Sequence, residues 1–165
     1  MEIVIKVMAA KDWEPVRSIY LAGIATGQAT FETEVANWKN WDNAHLVSPR
    51  LVAVANEKVV GWAALSPVST RSVYAGVAEV SVYVDAEMRG RGIGSSLLKA
   101  LVEKSERNGI WTMQASIFPE NAASISLHQA CGFREVGTRE RIGKIKGRWR
   151  DTVLLERRSK LVGVD

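Results

Sequence analysis

Only one cysteine, Cys131, occurs in the 165 residues, so no intrachain disulfide can hold the fold. Histidine is nearly as scarce, and neither His45 nor His128 belongs to a His, Cys, Asp or Glu cluster with metal-ligand spacing; no metal is expected. No apolar run is long enough to cross a bilayer, and no secretory signal pattern is present. Both absences place the chain in the cytoplasm with no membrane association. Internal repeats, low-complexity tracts and Pro/Gly/Ser linkers are also missing, which makes residues 1–165 one domain. Cys131, between Ala130 and Gly132 at the end of an expected helix, reads as a buried structural thiol.

What is present is ordinary globular material: 47% apolar and 24% charged residues exclude wholesale disorder. The formal charge of +4 is concentrated between Arg134 and Arg158, where Arg139, Arg141, Lys144, Lys146, Arg148 and Arg150 lie close together. A solvated basic hairpin accounts for that run. Nucleic acid is not an expected partner, because no recognised DNA- or RNA-binding motif accompanies the charge.

Periodicity predicts strands over 2–7, 51–55, 59–65, 79–84, 112–117, 133–138 and 152–156. Helical spacing predicts helices over 12–25, with Asp12 as N-cap, over 35–46, from Gly92 to Asn108, and over 122–130. The order β, α, α, β, β, β, α, β, α, β, β calls for an α/β fold: a mixed sheet with helices on both faces.

The most informative segment is Glu79-Val80-Ser81-Val82-Tyr83-Val84 followed by Arg89-Gly90-Arg91-Gly92-Ile93-Gly94-Ser95 and a helix. Glycines where a strand turns into a helix let successive backbone N–H groups converge on a phosphate, and the helix dipole adds positive potential. Arg89 and Arg91 can add guanidinium charge. Counting from Gly90, the sixth position is Ser95 where a dinucleotide fingerprint needs glycine, and the Gly-Lys-Ser/Thr of a P-loop is missing.

The string Arg89-x-x-Gly92-x-Gly94 after Val82-Tyr83-Val84 resembles the coenzyme A pyrophosphate loop of the GNAT superfamily of N-acetyltransferases. Asn121-Ala122-Ala123-Ser124 through Leu127-His128 to Gly132-Phe133 resembles its second cofactor motif. Thr30-Phe31-Glu32, Glu79, His128 and Gly143-x-x-x-Gly147-x-Trp149-x-Asp151 are similar to the phosphinothricin and methionine sulfoximine acetyltransferase branch. The likeness runs from the first strand to about Arg158. It implies a mostly antiparallel sheet whose central strand pair splays apart, acetyl-CoA as cosubstrate, a small-molecule amine as acceptor and a homodimer.

Residue by residue, the resemblance implies that Val82, Tyr83, Val84, Arg89, Gly90, Arg91, Gly92, Ile93, Gly94, Ser95 and Asn121 hold the cofactor. Glu79 takes the proton of the amine, and His128 serves as a proton donor or acceptor. An acceptor bearing a carboxylate would meet Arg71, between walls of Phe31 and Tyr74, with Lys146 and Trp149 completing the pocket. Two other readings remain at this stage: an acetyltransferase for a polyamine, aminoglycoside or protein N-terminus, and a coenzyme A-binding module without turnover.

Overall fold

Ile3 and Ile5 of the first strand (β1, Ile3–Val7) pack on the main core while Val4, on the opposite face, stays exposed as alternation requires; Val7, at the strand end, is exposed although it shares the face of Ile3 and Ile5. A computed structural model describes residues 1–165 and gives the elements in the expected order. In α1 (Trp13–Ala25) the buried positions Val16, Ile19 and Gly23 recur three and four residues apart. Asp12 occupies the N-cap position of α1 as expected, but its side chain makes no capping bond there; Oδ2 instead accepts the Ala9 N–H at 2.7 Å and closes the preceding 3₁₀ turn, Ala10–Asp12. The helix expected over 35–46 is shorter, Trp38–Ala44 (α2). Asn37 sets its start by accepting the Asn40 N–H at 2.8 Å.

Strands β2 (Arg50–Ala55) and β3 (Lys58–Pro67) meet at Asn56 and Glu57, whose φ values of 49° and 66° give the twist a tight hairpin needs. Then come β4 (Val77–Val84), α3 (Ile93–Arg107), β5 (Thr112–Ile117), α4 (Ala122–Ala130), β6 (Arg134–Ile145) and β7 (Arg148–Arg158). The last two strands run well past the expected 133–138 and 152–156. Their extension carried little apolar alternation because β6 is exposed along nearly its whole length.

The seven strands lie in the order β1-β2-β3-β4-β5-β7-β6, antiparallel throughout except for the parallel pair β4–β5. Val80, Val82 and Val84 of β4 pack toward α3, whose Ile93, Leu97, Leu98 and Leu101 are buried in the main core. Each such leucine contributes about 1.5–3 kcal/mol relative to an exposed one. Tyr83, on the other face, packs on a second cluster that contains Val16, Ile19, Trp41 and Trp62 beneath α1 and α2. Helices therefore cover both faces, and β4 is sandwiched between them. No helix is long and apolar enough to cross a membrane.

Candidate active site

β4 and β5 pair only at Val77–Thr112, Ala78–Met113 and Glu79–Gln114. Beyond Glu79, β4 stays with β3 as far as Val84, whereas β5 stays with β7 as far as Ile117. The two strands diverge from a vertex at Glu79. Asp85 N–H donates to the Val60 carbonyl at 2.8 Å. By alternation, the amides and carbonyls of Val80, Val82 and Val84 point away from β3, into the gap. A cleft of about 790 Å³ fills this gap and is lined from both faces of the sheet.

At the open end of the cleft, Gly92 (φ 78°) caps α3 in the left-handed region, and no side chain caps the helix. The first bond of the helix runs from Ser96 N–H to the Gly92 carbonyl at 3.0 Å. The N–H groups of Ile93, Gly94 and Ser95 are thus left free, as at any uncapped helix start. A Cβ on Gly94 would lie 3.1 Å from Leu127 Cδ2, so a side chain here would have to push Leu127 aside. Free donors, a helix dipole and Arg89 beside them suit a diphosphate. Every cofactor residue expected from the sequence lines the cleft except Arg91, which is exposed. Asn121 caps α4, its Oδ1 accepting the Ser124 N–H at 3.2 Å, and also lines the cleft.

Two candidate acid–base groups flank the splay from opposite sides. Glu79, half-buried at the vertex, belongs to the β4 face of Ser81 and Tyr83, the face that α1 covers. His128 belongs to α4, which packs on the α3 side. Its ring is 4% exposed and stands edge-on to Phe133 at 5.2 Å. Nδ1 lies 2.7 Å from the Ser124 carbonyl oxygen. A carbonyl only accepts, so Nδ1 carries the hydrogen and Nε2 of the neutral ring is a bare acceptor. Tyr83 is no competing base: burial first, then Tyr20, raises its phenol well above the usual range.

Burial pushes the His128 pKa below its ordinary 6.5, against a smaller opposing effect of the Ser124 bond. His45, stacked on Trp41 at 4.1 Å and outside the cleft, is also lowered by burial, with Arg50 adding to the shift. A histidine held below its unfolded value binds fewer protons when folded, so its stabilising effect is lost as pH falls through about 6.5. The melting temperature is therefore expected to drop between pH 7 and pH 5, and His128→Gln to reduce that drop. An unchanged pH slope in the variant, read by calorimetry, contradicts a buried neutral His128.

The α1 side of the cleft is walled by the α1–α2 connection, including Gln28, Thr30 and Phe31. Phe31 stands edge-on to Phe118 at 4.9 Å and lies against Gly143 of β6, where a Cβ would come within 2.7 Å of its ring. Arg71 and Tyr74 are not brought to this wall. They pair with each other, guanidinium 5.6 Å from ring centroid, on an exposed connection outside the cleft lining. That connection enters β4 at its paired end, whereas the cleft opens from Glu79 toward Val84. Arg89 is the one arginine or lysine lining the cleft. Gln28, Phe118, Glu120 and Thr152 also line it, and sequence reasoning missed them because none sits in a chemical motif.

Residues 12–133 match the acetyltransferase (GNAT) family. A phosphinothricin N-acetyltransferase of Alcaligenes faecalis is 35% identical over 162 residues, covering 93% of this chain and 81% of that protein. An L-methionine sulfoximine/L-methionine sulfone acetyltransferase of Pseudomonas paraeruginosa is 34% identical over 126 residues, 74% of this chain and 73% of its own. The crystal structure of a GNAT superfamily phosphinothricin acetyltransferase from Sinorhizobium meliloti, in complex with AcCoA, superposes with a TM-score of 0.89. Identity is 29%, and the match covers 100% of this chain and 92% of that one. With a sheet that splays at its one parallel pair and free amides at the start of α3, the chain belongs to the acetyltransferase (GNAT) family and is an N-acetyltransferase.

Proposed function

We propose that the protein transfers the acetyl group of acetyl-CoA to the primary amine of a small amino-acid-like acceptor of the phosphinothricin or methionine sulfoximine kind. One observation carries the reading: a carboxylate at the vertex of the splay, with unpaired backbone leading from it to a phosphate cradle. From Glu79 to Val84 the open arm is roughly 17 Å long, at ~3.3 Å per residue, enough to span an extended amide-bearing chain. Acetyl-CoA, when bound, supplies a thioester carbonyl open to attack by a neutral amine. Gap-facing groups of Val80, Val82 and Val84 add the cofactor's arm to β4 as a strand is added to a sheet edge. The free N–H groups of Ile93, Gly94 and Ser95, with Arg89, hold the diphosphate. Glu79 accepts the amine proton, directly or through water, from the α1 side. On the opposite side, Nε2 of neutral His128 has a lone pair with which to hold a proton in transit. The relatives that act on phosphinothricin and methionine sulfoximine support the acceptor class.

A second reading, an acceptor without a carboxylate such as a polyamine, is favoured by one observation. The α1 side of the cleft carries Glu79 and Glu120, and Arg71 lies outside it. Comparing kcat/KM for methionine sulfoximine, its methyl ester and spermidine separates the two. The first reading expects the free acid to be preferred, and preference for spermidine overturns it.

The α1 side gains a cation if a second copy supplies one, and we further propose a homodimer through the β6–β7 hairpin. There Ile142 and Trp149 are exposed beside the basic Lys144 and Lys146, and β6 is an unpaired edge strand of the sheet. Sedimentation equilibrium at micromolar concentration is expected to give twice the 18.2 kDa chain mass, and the monomer mass contradicts the pairing.

A further inference from the structure

Arg150 is the most enclosed cation near the cleft, and nothing above uses it. It sits on β7, on the sheet face that α1 covers, and is 7% exposed. Its guanidinium lies flat enough on Phe118 to put Cζ 3.9 Å from the ring centroid. Nη1 donates to the Gly27 carbonyl at 3.0 Å and Nη2 to Gln28 Oε1 at 3.0 Å. Glu120 Oε2, half-exposed, is 3.4 Å from Nη2 and balances the charge. Nε is buried without a partner. An enclosed cation left short of one acceptor is costly, and its remaining contacts all converge on one short stretch of chain and one carboxylate.

The stretch it holds is the start of the α1–α2 connection. Only a few local hydrogen bonds order it: Gly27 N–H to Ile24 O in the last turn of α1 at 3.1 Å, and, within the connection, Gln28 N–H to Thr26 Oγ1 at 3.1 Å and Glu32 N–H to Thr30 Oγ1 at 3.1 Å. Long-range anchorage comes from the Arg150 fork, from Asn121 Nδ2 reaching the Gln28 carbonyl at 3.5 Å, and from Phe31 packed on Phe118 and Gly143. Phe118 is thus clasped by the Arg150 guanidinium and by Phe31. Gln28, Thr30 and Phe31 wall the α1 side of the cleft, opposite the face that carries the α3 cradle.

We propose that Arg150 is a positioning residue for acceptor specificity. Its fork on Gly27 and Gln28, seated on Phe118, sets the placement of the Gln28–Phe31 wall against which the amine substrate binds. The inference rests on the proposed reading that the α1 side of the cleft receives the amine. Because Arg150 does not line the cleft, it touches no substrate, and its effect must pass through the wall.

Arg150→Met keeps length and apolar volume while removing the fork; Arg150→Lys keeps charge but offers a point donor in place of a planar fork. With the amine that the wild type turns over best, both variants are expected to raise the amine KM at least tenfold. The acetyl-CoA Kd should stay within twofold of wild type by calorimetry. Hydrogen exchange of the peptide spanning residues 26–32 should quicken in both, with β4 unchanged. A parallel rise in acetyl-CoA Kd, full rescue by lysine, or unchanged amine KM and exchange overturns the proposal. If the wild type acetylates no amine, the functional reading fails. The exchange arm still decides whether Arg150 places the wall: unaltered exchange at 26–32 rejects it, and faster exchange confined there sustains it.

Discussion

Glu79→Gln is expected to lower turnover by ~10²–10⁴-fold, the usual range for a lost general base, while acetyl-CoA affinity stays at the wild-type value. The substitution nearly preserves volume at a half-buried strand position, so the Ser66–Glu79 and Glu79–Gln114 register pairs can persist and the vertex keeps its shape. What is removed is the group able to accept the amine proton. His128→Ala is expected to cost less, since water can enter the space of the ring and relay a proton. Equal losses in the two variants, and no further loss in the double variant, would mean that both groups act as one unit. Glu79→Gln turning over at the parent rate at every pH would move the base elsewhere and leave positioning of an already neutral amine as the mechanism.

Gly94→Val carries the second large effect, and it falls on the cofactor alone. The added Cβ would stand 3.1 Å from Leu127 Cδ2 and 3.7 Å from Val84 Cγ2, and its methyls would crowd the free N–H groups at the start of α3. Losing one charge-assisted hydrogen bond to the diphosphate costs roughly 1.5–3 kcal/mol, so the acetyl-CoA Kd should rise by about 10–10²-fold. Turnover at saturating cofactor should fall far less, because neither Glu79 nor His128 is touched. Calorimetric titration of a folded Gly94→Val protein at unchanged Kd would remove the α3 start from the cofactor site.

The opposite outcomes of these variants follow from a division that was only half legible in the sequence. Glycines at 90, 92 and 94 after an alternating strand announced a phosphate cradle, because backbone that must approach a ligand leaves a local compositional mark. Strand periodicity likewise announced the sheet, and the order of elements implied helices on both faces. The α1 wall left a mark only at Thr30 and Phe31. Gln28, Phe118 and Thr152 come from three separated segments, and what brings them together is Arg150 bonding across more than a hundred residues to Gly27 and Gln28. In sequence, Arg150 is one cation among many in a basic run, indistinguishable from neighbours that stay in solvent.

Arg71 lies outside the cleft lining for a related reason. An arginine next to aromatic residues in a loop before the Glu79 strand looked well placed, yet β4 runs away from that loop before the cleft opens. The outer part of the β6–β7 hairpin was missed because exposed strands owe their geometry to cross-strand pairing and to a turn at Lys146 and Gly147, both at positive φ, rather than to apolar alternation.

The measurement that bears most directly on the central claim is thiol release from acetyl-CoA by the wild-type protein, followed in parallel with mass spectrometry of the acceptor. With methionine sulfoximine or phosphinothricin present, the expected result is one free thiol per N-acetylated acceptor, and loss of both signals together in Glu79→Gln. Release of thiol without an acetylated amine, or no release above the protein-free rate with any α-amino acceptor, would contradict acetyl transfer at the splayed cleft.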